Sequence, residues 1–224
     1  MPIAPAWRCV AQRWSFSRLK TNCSRNTRHD KMKIDLADPI AVLIAASQTL
    51  EQAGLKVAAY GGLALAMYGE PRETKDADLA VAGLTGDQAE TAFRNAGFDL
   101  IRAFDLVKFG GLLVTRLTLL GGIGKSLNTV DLVEPRSTEY ALDVQARALS
   151  AKLREHSLQV VAPEDFVILK ILATRERDLE DARAVINGLS GRLDVDLIER
   201  TLQQLSTEIT DHECLSRWSV IRDS

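Results

Sequence analysis

Chemistry in this chain is concentrated in a few charged side chains that interrupt apolar segments. Asp76-Ala77-Asp78 opens the strand-like run Leu79-Ala80-Val81. Side chains at i and i+2 of a strand share a face, so the two carboxylates converge. Two anions at that separation repel unless a cation lies between them, and hard oxygen ligands suit Mg²⁺. Thirteen residues upstream, Gly61-Gly62 would let backbone N–H groups approach a phosphate closely at the start of a helix. Asp131 sits inside the apolar run Leu127–Val133, where an unpaired carboxylate is costly to bury. Lys170 interrupts Phe166–Leu172, where a lone lysine must snorkel or meet an anion. Carboxylates for a metal beside a cradle for phosphate are the equipment of phosphoryl or nucleotidyl transfer.

The elements that would position these groups follow from period and punctuation. Asp38-Pro39 reads as a cap and first-turn proline ahead of a helix over 40–53, ended by Gly54. A strand over 57–60, a short helix over 63–68 ending at Gly69, and a strand over 76–81 come next. A helix over 86–96 follows, then strands over 98–104, 112–120 and 127–133. Residues 138–153 read as one helix or two short ones, and 158–161 as a strand. Pro163-Glu164-Asp165 opens a helix that, if continuous to Asp181, lines up Lys170, Thr174, Arg177, Asp178 and Asp181 as one polar stripe. A Lys170–Asp178 or Arg177–Asp181 ion-pair network would use the same stripe structurally. Further helices are expected around 194–205 and 209–221.

With Gly61-Gly62, the thirteen-residue gap and Asp76-Ala77-Asp78 in view, the chain resembles the polymerase-β-type nucleotidyltransferase superfamily. The run Gly69-Glu70-Pro71-Arg72-Glu73-Thr74-Lys75, and Lys170 followed by Arg175-Glu176-Arg177-Asp178-Leu179-Glu180-Asp181, are similar to the branch of abortive-infection (AbiE-type) toxin enzymes. The resemblance covers about residues 56–190. It implies an α+β fold: a small mixed sheet flanked by helices, followed by a helical C-terminal region. It also implies that Asp131 completes a site for two Mg²⁺ ions with Asp76 and Asp78, and that Lys170 neutralises a triphosphate. Gly61, Gly62, Thr74, Lys75 and Asp178 would then contact or position the NTP. The implied reaction moves a nucleoside monophosphate to an acceptor hydroxyl, on a tRNA 3′ end or a protein, with an antitoxin protein as partner. A catalytically inactive nucleotide- or partner-binding module on the same fold is the alternative.

Composition narrows the setting. The 224 residues carry a net charge of −2, but the first 33 hold eight Lys/Arg against the single acid Asp30, so the remainder is acidic. An acidic body argues against a broad nucleic-acid-coating surface while leaving room for a local basic pocket. Cys9, Cys23 and Cys214 have neither zinc nor CxxC spacing, which fits a reducing cytosol, and no apolar run is long enough to cross a membrane. The Arg- and Ser-rich residues 1–31 show no period and read as a disordered or non-native extension ahead of Met32. Residues 32–150 are expected to form the nucleotidyltransferase domain, and 151–224 a helical domain that contributes to the site. Gly124-Lys125-Ser126 mimics the end of a P-loop, but position 119 is Leu and the segment joins two strands, so a hairpin turn is the better reading. Asp194-Val195-Asp196 is a second DxD, at a helix start. His29, His156 and His212 fit no catalytic or metal spacing and read as surface residues.

Overall fold

The computed structural model describes residues 14–15, 34–68, 71–121 and 126–222. Its framework is a mixed sheet whose strands run β1 (Trp14–Ser15), β2 (Val57–Tyr60), β3 (Ala77–Val81), β4 (Asp99–Phe109), β5 (Leu112–Leu120), β6 (Leu127–Pro135), β7 (Leu149–Leu153) and β8 (His156–Val160). Their spatial order is β1-β7-β8-β2-β3-β6-β5-β4. Two junctions are parallel, β2 with β8 and β3 with β6, and the rest are antiparallel. Eight helices complete the described chain: α1 (Pro39–Gln52), α2 (Gly61–Tyr68), α3 (Gly86–Asn95), α4 (Thr138–Arg147), α5 (Pro163–Leu172), α6 (Glu176–Gly188), α7 (Val195–Glu208) and α8 (Cys214–Arg222). The α+β expectation, a mixed sheet flanked by helices with a helical C-terminal region, matches this architecture.

Local chemistry explains most boundaries. Asp38 caps α1 by accepting from the N–H groups of Ile40 and Ala41, and Pro39 occupies the first turn. Thr85 and Gln88 form a capping box on α3. Alternation along the strands separates two faces. Val130 and Leu132 of β6 share a face with Asn128, whose amide donates to the Leu36 carbonyl just ahead of α1. Asp131 belongs to the opposite face, over which α5 lies, with the Phe166 ring packed at a tilt against Tyr60 at 5.4 Å between ring centroids.

Four expectations need correction. Residues 138–153 are not wholly helical: α4 stops at Arg147, and β7 forms a hairpin with β8 on the far flank of the sheet. Strand content therefore continues past residue 150, because Ala151, Leu153, Leu158 and Val160 alternate inward, a period of two inside a segment with mixed propensity. The predicted helix from Pro163 to Asp181 is two helices, broken at Ala173-Thr174-Arg175, where Ala173 takes an extended conformation. His212 is half-buried, its ring nitrogen bonded to the Ile171 carbonyl, whereas His156 is exposed. Residues 14–15 pair with β7, within a segment read as lacking structure. The rest of that segment, Met32, Gly69 and the 122–125 link lie outside the described residues.

One buried cluster anchors α4 to α5. Asp165, wholly inaccessible, receives two hydrogen bonds from Arg147 at 2.9 and 2.7 Å and one from the Tyr140 hydroxyl at 3.1 Å. Removing a partner leaves a buried charge without compensation. Arg147→Ala is therefore expected to lower the unfolding free energy by about 3 kcal/mol, and Tyr140→Phe by about 1 kcal/mol, both read by urea denaturation.

Candidate functional site

Strand register assembles the site. β3 and β6 are parallel with Asp78 directly beside Asp131, β2 places Tyr60 beside Asp78, and β5 places Arg116 beside Asp131. Neighbours in register point to the same face, so Tyr60, Asp78, Asp131 and Arg116 form one row, extended by Phe104 of β4. Asp76 lies just before β3, and its carboxylate accepts a 2.6 Å hydrogen bond from the Thr129 hydroxyl of β6. The row floors a cleft of about 610 Å³ that Thr74, Lys75, Lys170, Arg175 and Arg177 also line.

The glycine pair makes this packing possible. Gly61 has φ +66°, and a Cβ there would lie 1.8 Å from Asp78 Oδ2, so both backbone conformation and space demand glycine. At Gly62 a Cβ would stand 2.9 Å from Thr74 Cβ and 3.2 Å from Arg72 Nη1, so the second glycine admits the loop carrying Thr74.

Two charge networks meet in the cleft. In the first, Arg116 grips Asp131 with two 2.7 Å hydrogen bonds, while its guanidinium rests 5.4 Å from the centre of the Phe104 ring. In the second, the Lys170 ammonium, 2% exposed, pairs with Asp178 at 2.9 Å and Asp181 at 2.8 Å. Arg175 bonds Asp178, and Arg72 closes a two-point bridge to Asp181 at 2.9 and 3.0 Å. The stripe expected on one continuous helix is thus assembled across a helix break, and the partner of Asp181 is Arg72 with Lys170, not Arg177. Burial alone would raise the carboxyls of Asp178 and Asp181, but for Asp178 Lys170 and Arg175, and for Asp181 Arg72 and Lys170, outweigh it and hold them below the usual range.

Asp78 is the exception. Burial, and after it the charge of Asp131, push its carboxyl up to about 7 against the partial opposition of Lys170. A buried carboxylate beside another has a local demand for positive charge. Asp76, Asp78 and Asp131 present only hard oxygen donors, a set that fits Mg²⁺. As the side chains stand, no group of three or more His, Cys, Asp or Glu among the described residues is arranged around a common metal position. Arg116 holds Asp131 and Thr129 holds Asp76.

Each of the residues singled out by sequence lies at or beside this cleft. Asp76, Asp78, Asp131, Gly61, Thr74, Lys75, Lys170 and Asp178 line it, and Gly62 lies against Thr74. Sequence reading missed Arg116, although an arginine inside Leu112–Leu120 is the same signal that marked Asp131. It also missed the paired rings Phe104 and Phe109, 6.1 Å apart, which carry no motif, and it named Arg175 within a motif without giving it a role.

No family model and no curated protein matches the chain. Among solved structures it is similar to an antigenic nucleotidyltransferase-like protein from Paracoccidioides brasiliensis, at 17% identity over 83% of this chain and 96% of that one, with a TM-score of 0.47. It is also similar to JHP933 from Helicobacter pylori, at 14% identity over 77% and 79% of the chains and a TM-score of 0.45. ANT(2″)-Ia in complex with adenylyl-2″-tobramycin shows 13% identity over 75% and 97%, with a TM-score of 0.44. No helix among the described residues is long and apolar enough to cross a membrane.

The raised Asp78 gives a signed pH prediction. Between the ordinary value of 3.8 and about 7 the folded protein holds this proton more often than the unfolded chain. The contribution of Asp78 to stability therefore falls as pH rises through that window. Without divalent cation, Asp78→Asn and the wild type are expected to melt alike near pH 4, and the variant to melt higher at pH 8. Calorimetric melting across that range checks it.

Proposed function

We propose that this cleft catalyses Mg²⁺-dependent transfer of a nucleoside monophosphate from an NTP to an acceptor hydroxyl. The observation that carries the reading is the in-register pair Asp78 and Asp131 on parallel strands, with Asp76 one pleat away. Asp76, Asp78 and Asp131 would hold two Mg²⁺ ions. Bound there, Mg²⁺ supplies charge neutralisation for the phosphates and acidifies the acceptor hydroxyl. Lys75, Arg72, Arg116, Arg175 and Arg177 are among the cations that line the cleft, suited to draw in a triphosphate. Lys170 acts from beneath, fixing the carboxylates of Asp178 and Asp181 that orient Arg175 and Arg72. Gly61 leaves room for the Asp78 carboxylate and Gly62 for the loop carrying Thr74, which lines the same wall. Asp131 accepts the acceptor proton, a bond forms from the acceptor oxygen to the α-phosphorus, and pyrophosphate leaves. Positioning and electrostatics carry most of the rate.

The sequence resemblance to the AbiE-type branch supports a tRNA 3′ end or a protein hydroxyl as acceptor and an antitoxin protein as partner. A non-catalytic nucleotide-binding module is the second reading, favoured by the occupation of Asp131 by Arg116.

The test incubates the protein with Mg²⁺ and each α-labelled NTP in the presence of total tRNA, cell extract or tobramycin. Label is expected on one acceptor class and is expected to fall at least about a hundredfold in Asp76→Asn, in keeping with loss of an electrostatic group acting in the transition state. Nucleotide binding with no label on any acceptor favours the binding module. Equal labelling by Asp76→Asn overturns the assignment.

A further inference from the structure

The residue this function leaves unexplained is Arg116. It faces Asp131 across the β5–β6 ladder, and its Nε and Nη2 take both carboxylate oxygens at 2.7 Å. The charges of Asp76 and Asp78 act on it as well, while Lys170 and Arg175 are the cations that act on Asp78. The Arg116 guanidinium occupies both oxygens of Asp131 and repels a further cation there at short range. Yet the side chain is not locked in: it is 36% exposed at the cleft wall, against 12% for Asp131. Its flat face rests on Phe104, a perch that stabilises an arginine without fixing its hydrogen bonds. Arginine also has the fork that suits a phosphate as well as it suits a carboxylate.

We propose that Arg116 is an internal competitor of the divalent cation, holding Asp131 in the nucleotide-free protein and transferring to the phosphates of the incoming nucleotide. This rests on the metal reading of the same cleft. Asp131 becomes a metal ligand only when nucleotide draws Arg116 away, so metal and nucleotide bind in support of each other. Arg116 is a positioning residue in this scheme: it sets the order of assembly and takes no proton.

The test measures Mn²⁺ binding to the full chain by electron paramagnetic resonance, with and without non-hydrolysable NTP analogues. A purely structural Arg116 predicts that Arg116→Gln loosens Asp131 and weakens Mn²⁺ binding. The competitor predicts the opposite sign: Mn²⁺ binds the nucleotide-free variant about tenfold more tightly than wild type, the scale on which groups around a metal ligand act. Unchanged or weaker binding overturns the proposal. Should Arg116→Gln fail to fold, Asp131→Asn decides the matter. The expected result is a larger loss of Mn²⁺ affinity in the nucleotide complex than in the free protein, and an equal loss in both overturns the proposal. Asp76→Asn separates the two claims. If it binds Mn²⁺ as the wild type does, the metal reading itself fails. If it loses Mn²⁺ while Arg116→Gln is unaltered, only the role of Arg116 fails.

Discussion

The repulsion between Asp78 and Asp131 is the constraint around which the rest is arranged. Parallel pairing of β3 with β6 sets the two residues on adjacent strands, about 4.8 Å apart across the ladder. Among the described residues no backbone N–H donates to either carboxylate, so side chains must relieve their charge. Arg116 takes Asp131, Thr129 takes Asp76, and Gly61 gives up its side chain to leave space for Asp78. Asp78 is left buried beside Asp131, and burial first, then that neighbouring charge, push its carboxyl up to about 7.

The opposite wall solves the converse problem. Lys170 is buried among the rings of Tyr60 and Phe166, 5.2 and 5.5 Å from their centres, where a bare ammonium would be costly. Asp178 and Asp181 supply its counter-charge and are themselves shared with Arg175 and Arg72. Since Arg72 precedes the DxD segment and Asp181 lies on α6, this bridge ties the loop before β3 to the helical region. The break between α5 and α6 is what turns Asp178 and Asp181 back towards Lys170.

Much of this was legible in the chain. Asp131 and Lys170 announced themselves by interrupting apolar runs, and burial of a charge demands a partner whatever the fold. The glycine pair announced a close approach, although what approaches Gly61 is the Asp78 carboxylate itself. The β7–β8 hairpin was obscured because Leu149–Leu153 follows a helix without a Gly or Pro stop, so its alternation of two merged into the preceding period. The helix break at Ala173-Thr174-Arg175 carries no breaker residue; tertiary contacts end α5, with Gly111 N–H, His212 and Arg217 bonding to the carbonyls of Ile171 and Leu172. Arg116 was as visible as Asp131, but its meaning depends on register, and register is a property of the sheet.

The parallel junction of β3 and β6 also bears on how the protein comes into being. Asp78 and Asp131 are 53 residues apart, and β4 and β5 must be paired alongside β6 on its other edge. Closing a loop of that length is entropically slow compared with forming the local hairpins. Lys170 and its carboxylate partners arrive later still along the chain. The charged row is therefore a product of long-range pairing, and a chain in which β3 and β6 are unpaired has neither the repulsion nor the chemistry of the finished cleft.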